Sequence, residues 1–149
     1  MKSEAQYDDE YATCVETHAW LRVMGEMLDP HTVTSRLKVQ PTKTQLRGAL
    51  PREGSSHPYK YSGWFLESKG HVQSRDSRRH LDWLLDSLQG RQVVLRDLKD
   101  EGNLVDICIR WDSVGQGGPT LNPKQMTLLG ALGVELWFDI YFAGEDGDA

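Results

Sequence analysis

Arg22, Cys108 and Arg110 are the residues of this 149-residue chain whose types and spacing could do chemistry. Each lies where apolar and polar residues alternate, "HAWLRV" for the first and "ICIRWD" for the other two. Two guanidiniums on neighbouring strands would bind an anion, and a thiol held between them would ionise more readily and act as a nucleophile. No histidine is forced beside Cys108 by spacing, and a small buried residue in a central strand is the plainer account of it. The five histidines, at 18, 31, 57, 71 and 80, form no HxH, HxxxH or HExxH pairing, so neither a metal nor a cofactor is expected. "GQGGP", residues 115–119, has the glycines of a phosphate loop but lacks its Lys-Ser/Thr ending, which leaves a flexible connection.

These residues need strands to hold them. From Tyr11 to Met24 the chain alternates, with Tyr11, Thr13, Val15, Thr17, Ala19, Leu21 and Val23 on one side. Cys14, Glu16, His18, Trp20, Arg22 and Met24 fall on the other. Asp29 before Pro30 is a helix start, an N-cap carboxylate followed by a ring with helical φ, and Pro41 stops that helix. Residues 40–62, rich in Pro, Gly, Ser and Thr, read as a long loop, and "SGWFLES" reads as a second strand. Leu81, Leu84, Leu85 and Leu88 recur at helical spacing between a cap at Asp76 or Ser77 and a stop at Gly90, and a shorter helix follows up to Gly102. "LVDICIRWD" is a third strand, Asn122-Pro123 starts a last helix, and "VELWFDIYF" is a fourth strand.

Strand, Asx-Pro helix and strand thus occur twice. The expected fold is α+β and ferredoxin-like, two βαβ halves joined by an inserted helical connection, with a mainly antiparallel four-stranded sheet. The first strands of the halves should lie side by side at its centre. One domain over 1–149 is expected, with an ordered core of about 11–142 and acidic, frayed termini at 1–10 and 143–149.

Composition narrows the function classes. A formal net charge of -5 opposes sequence-independent nucleic-acid binding, and the only basic cluster, "SRDSRRH" at 74–80, is the charged first turn of a helix. Trp20 and Trp111 invite comparison with base-stacking RNA binders, but Trp111 falls on the opposite alternation from Arg110 and no RNP-like stretch is present. No apolar run spans a membrane and no cleavable leader opens the chain, so a cytoplasmic location is expected. Cys14 and Cys108 then read as free thiols.

The order "LDPHTVTSRLKVQPT", "SGWFLES", "HLDWLLDSL", "LLGALGVELWFDIY" resembles a bacterial group, domain-of-unknown-function family 4279, over roughly residues 15–142. Asp29-Pro30, Pro41-Thr42, Gly63-Trp64, Leu81 to Leu88, and Asp139 with Tyr141 carry the resemblance. It implies the fold and no activity.

If every strand turns its apolar side to the helices, the other face of the sheet collects Glu16, His18, Trp20, Arg22, Asp106, Cys108, Arg110, Trp137, Asp139 and Tyr141. Aromatic-plus-Arg surfaces mark interaction sites, so the binding candidates are Trp20, Arg22, Arg110, Trp137, Asp139 and Tyr141. Lys43, Arg47, Tyr59 and Tyr61 on the 40–62 loop are a second set. The expected function is a non-catalytic protein-binding module, an immunity-like or accessory factor. The alternative is an enzyme or small-anion sensor using Arg22, Arg110 and Cys108. The expected partner is another protein, with a homodimer open, and not a nucleic acid or membrane.

Overall fold

The computed structural model describes residues 6–142. Expectations for residues 1–5 and for the acidic tail 143–149 lie outside these. The elements are β1 (Cys14–Gly25), α1 (Pro30–Leu37), β2 (Lys43–Gln45), β3 (Ser62–Glu67), α2 (Ser77–Ser87), α3 (Gln92–Asp100), β4 (Leu104–Ser113), α4 (Pro123–Leu132) and β5 (Glu135–Phe142). They form an α+β fold with one open, mixed five-stranded sheet in the order β2-β3-β1-β4-β5.

The Asx-Pro signals act as their chemistry requires. Asp29 accepts from the His31 N–H ahead of Pro30. Asn122 and Gln125 form a reciprocal capping box around Pro123, and Gly133, at φ 70°, ends α4 in the left-handed conformation open to a residue without Cβ. Asp76 caps α2. The helix α1 ends at Leu37, before Pro41, because Lys38 turns left-handed and closes the last turn onto Thr34.

β1 is the central strand. It pairs antiparallel with β3 on one side and with β4 on the other, so the first strands of the two expected halves do lie together. The sheet has five strands, though, not four. The extra one, β2, lies inside the stretch read as loop and pairs antiparallel with the outer side of β3. The two halves are also unlike: β4, α4 and β5 make a parallel crossover, whereas β1 and the strand read as its partner, β3, run antiparallel. β2 reverses the chain between them, and it is β2, not β3, that runs in the direction of β1.

The helices lie on one face. Ala19, Leu21 and Val23 of β1, Trp64 and Leu66 of β3, and Val105, Ile107 and Ile109 of β4 form one buried cluster with the helix leucines 37, 81, 84, 85, 88, 95, 98, 129 and 132. Each such side chain removed from water contributes roughly 1.5–3 kcal/mol before chain entropy is charged against it. Trp64 also donates its indole N–H to the Thr34 hydroxyl, which fixes α1 on the sheet. Gly63 is set by packing on the other face: a Cβ there would lie 2.6 Å from the ring of Phe65, which folds across it.

Two expectations about the start of the chain change. The pairing of β1 shifts register between Cys14 and Glu16, so Cys14 pairs with Ser113 and joins the helix face, while Val15 bulges into solvent. Cys14 therefore does not share a face with His18 and Trp20. Residues 7–9, expected to lie outside the ordered core, are tied to the start of α2. Tyr7 donates to Asp82, the Asp8 N–H donates to Asp76, and Asp9 receives Arg79 and Ser74. No helix among the described residues is long and apolar enough to cross a membrane.

Candidate functional site

The face of the sheet away from the helices is assembled by strand register. One row across it reads Lys43, Phe65, Arg22, Asp106, Glu135; the next reads Glu67, Trp20, Cys108, Trp137; a third reads His18, Arg110, Asp139. Tyr141 follows, paired with Asp112. The six sheet residues proposed as a binding set are thus brought together on one surface, because β1, β4 and β5 keep strict alternation beyond the bulge.

Their contacts are internal and matched. Arg22 makes a bidentate pair with Asp106 at 2.8 and 2.7 Å and lies 5.0 Å from the Trp137 ring. Arg110 bonds Asp112 at 3.0 Å and lies 4.3 Å from the ring of Tyr141, which donates to Asp139 at 3.2 Å. Lys43 stands over Phe65. β3 and β5 thus offer aromatic rings to cations on β2, β1 and β4, a contact worth about 0.5–1 kcal/mol when exposed. The counter-ion of Arg22 is Asp106 on the adjacent strand; that of Arg110 is Asp112, two residues along the same strand and hence on the same face. The hydrogen bonds to Asp106 and Asp112 raise the two guanidinium pKa values further.

Cys108 lies at the middle of this face without being part of its surface. It is fully buried beneath its neighbours. Burial, helped by Asp139 and Asp106, pushes its thiol up to about 11, against the opposing charge of Arg22. That environment protects a thiol from reaction. The indole N–H groups of Trp20 and Trp137, on either side of Cys108, are buried without a hydrogen-bond partner.

His18 is also on this face but covered. Burial lowers its pKa and raises that of Glu67, so the 3.5 Å approach of the two is between groups drawn toward their neutral forms. A hollow of about 890 Å³ opens next to His18, bordered by Lys69, Arg75 and Asp9. At the other end of the face a hollow of about 330 Å³ borders Arg22, Lys99, Asp106 and Trp137. Among the described residues no group of three His, Cys, Asp or Glu is placed to hold a metal ion.

The second candidate set is divided by the fold. Lys43 belongs to the sheet face. Arg47 and Tyr59 lie in the connection between β2 and β3, where Gly48 and Ala49 exchange backbone bonds with Tyr59 and the Arg47 N–H donates to Ser62. Tyr61 borders a separate hollow of about 640 Å³ with Met24, Met27 and Leu104 at one end of the sheet. Phe65 and Asp112 belong to the face and were not named as candidates. Both were signalled: Phe65 alternates with Trp64 and Leu66, and Asp112 stands two residues from Arg110.

No curated protein and no solved structure matches the chain. The model of one family, described as a domain of unknown function, DUF4279, matches residues 15–143, from the bulge in β1 to the end of β5. The matched span includes all five strands of the sheet but for Cys14 at the start of β1, both arginines and the aromatic rings stacked against them, and the chain belongs to the DUF4279 family.

Proposed function

We propose that the chain is a non-catalytic protein-binding module whose interface is the helix-free face of the sheet, acting as an immunity-like or accessory factor in a bacterial cytoplasm. The observation that carries this is the repeated unit of that face: a cation held by a carboxylate or left free at the rim and laid against an aromatic ring, three times over, at Arg22–Trp137, Arg110–Tyr141 and Lys43–Phe65. Flat aromatic and arginine surfaces held rigid by their own contacts lose little entropy on docking and supply the residue types that dominate protein interfaces. A ferredoxin-like reading of the first four strands agrees with this use. The order β2-β3-β1-β4, antiparallel throughout, supports that reading, and α4 with β5 then extends the sheet by one parallel strand.

The anion-sensor or enzyme reading has less behind it. Arg22 and Arg110 already spend their charge on Asp106 and Asp112, and Cys108 is buried with its thiol held protonated. Affinity purification from the native host separates the two. The protein-binding reading expects one polypeptide retained in fixed stoichiometry. A small anion retained in its place, and lost on Arg22→Ala, would transfer support to the sensor.

A further inference from the structure

The two edges of the sheet are built differently. β2 is three residues long, polar, and carries Lys43, the kind of edge that discourages further pairing. β5 is eight residues long and holds no Lys, Arg, Pro or bulge, and among the described residues its outer edge has no strand beside it. On its helix-facing side Phe138, Ile140 and Phe142 remain 42%, 45% and 59% exposed, an apolar strip continuing the core of Ile107 and Ile109 out to the rim.

We infer that β5 pairs antiparallel with β5 of a second copy, joining two sheets into one of ten strands. The charge pattern of the strand chooses the occupant and the register. With the helix layers of both copies on the same side, like faces must meet, so each register centres on one residue opposite itself. Centring on Trp137 sets Glu135 opposite Asp139, and centring on Asp139 sets that carboxylate against its own copy; like charges directly opposite are destabilising. Centring on Phe138 avoids both. It puts Leu136 opposite Ile140, Trp137 opposite Asp139 and Glu135 opposite Tyr141, so both acidic side chains face neutral aromatic residues. Centring on Ile140 is also free of like charges but leaves Leu136 and Trp137 unpaired. The strip is therefore complementary to itself along nearly its whole length. The dimer leaves the helix-free faces of both copies uncovered and side by side, so it neither requires nor excludes the protein-binding role proposed for them.

Sedimentation equilibrium across a wide concentration range reads the association directly. The expected mass rises with concentration from 16.9 kDa toward twice that value, and Ile140→Lys holds it at the monomer with an unchanged circular dichroism spectrum. The register is read by cysteine pairing under a mild copper(II) oxidant, which takes up the two electrons while the two thiol protons pass to water. Phe138→Cys, opposite itself, should cross-link two chains; Asp139→Cys, offset from itself, should not. Wild-type protein that stays at 16.9 kDa up to millimolar concentration overturns the inference, as does a dimer indifferent to Ile140→Lys. Cross-linking through Asp139→Cys in preference to Phe138→Cys overturns the register.

Discussion

β1 and β4 run through the middle of the sheet and show two different chemistries on their two sides. Toward the helices β4 presents Val105, Ile107, Ile109 and Trp111, all buried; toward the other side it presents Asp106, Cys108, Arg110 and Asp112. The first set is what any sheet of this size needs to hold four helices. The second is not required by packing: its ions and rings bond among themselves, and a face of threonines would hydrate as well. Side chains that packing does not require, arranged in matched pairs on one surface, are what the binding proposal rests on.

Substitutions can break this comparison, and the largest effect is expected on the helix face. Ile107→Ala should destabilise by about 2–5 kcal/mol, since it leaves a cavity where β4 meets the leucines of the helices. A urea midpoint equal to wild type would mean the faces are wrongly assigned. Next comes Arg22→Ala, which leaves the largely buried Asp106 carboxylate without its two charged donors and should cost about 1.5–3 kcal/mol. A loss as small as that of a fully exposed pair would show that Asp106 is well hydrated.

Acidity gives a third and graded test of the buried side. His80 is buried at the start of α2, with Ser68 at one ring nitrogen and the Ser74 carbonyl at the other. Burial lowers its pKa and that of His18 below the ordinary 6.5. The unfolded chain therefore takes up protons first as pH falls. The stability contributed by keeping these rings neutral is full above about pH 6.5 and is lost as pH falls through the folded values. Urea midpoints at pH 7.5 and 5.5 should differ in that direction, and His80→Gln should narrow the gap. A midpoint that rises on acidification would contradict the assignment. The cysteines give the smallest signal. Cys14 and Cys108 lie on opposite faces and are both buried, and burial pushes both thiols up to about 11. Neither should react with a thiol reagent in the native protein on the timescale of unfolded controls, and an intact mass lower by two hydrogens would contradict free thiols.

Much of this was legible in the residues. Period-two alternation in "LVDICIRWD" and "VELWFDIYF" assigns each side chain to its face, because a strand has no other way to bury one set of residues. The Asx-Pro pairs mark two helix starts through local hydrogen bonds that need no tertiary context. β2 was not legible. Lys43-Thr44-Gln45 has no apolar side to reveal a period, and it becomes a strand only because β3 offers it an edge. The direction of β3 was lost with it, since a missing reversal turns a parallel pairing into an antiparallel one. The bulge at Val15 was hidden for a similar reason: alternation continues smoothly through "YATCVETH" in type, and only pairing with Ser113 and Asp112 moves Cys14 across the sheet. On the candidate site, the face and the arginines could be read, but the choice of Asp112 over Asp139 as partner of Arg110 rests on side-chain geometry.

The central claim, that the helix-free face serves binding, meets its most direct test in the double variant Arg110→Ala/Tyr141→Ala. Arg110 makes one 3.0 Å bond to Asp112, against the two that join Arg22 to Asp106, its side chain is 38% exposed and Tyr141 is 44% exposed, so a loss of about 1 kcal/mol and a thermal midpoint within about 4 °C of wild type are expected. In the same preparation the protein partner retained by wild type should be lost. A variant that keeps its partner at wild-type stoichiometry, or that melts as early as Ile107→Ala, would contradict the claim.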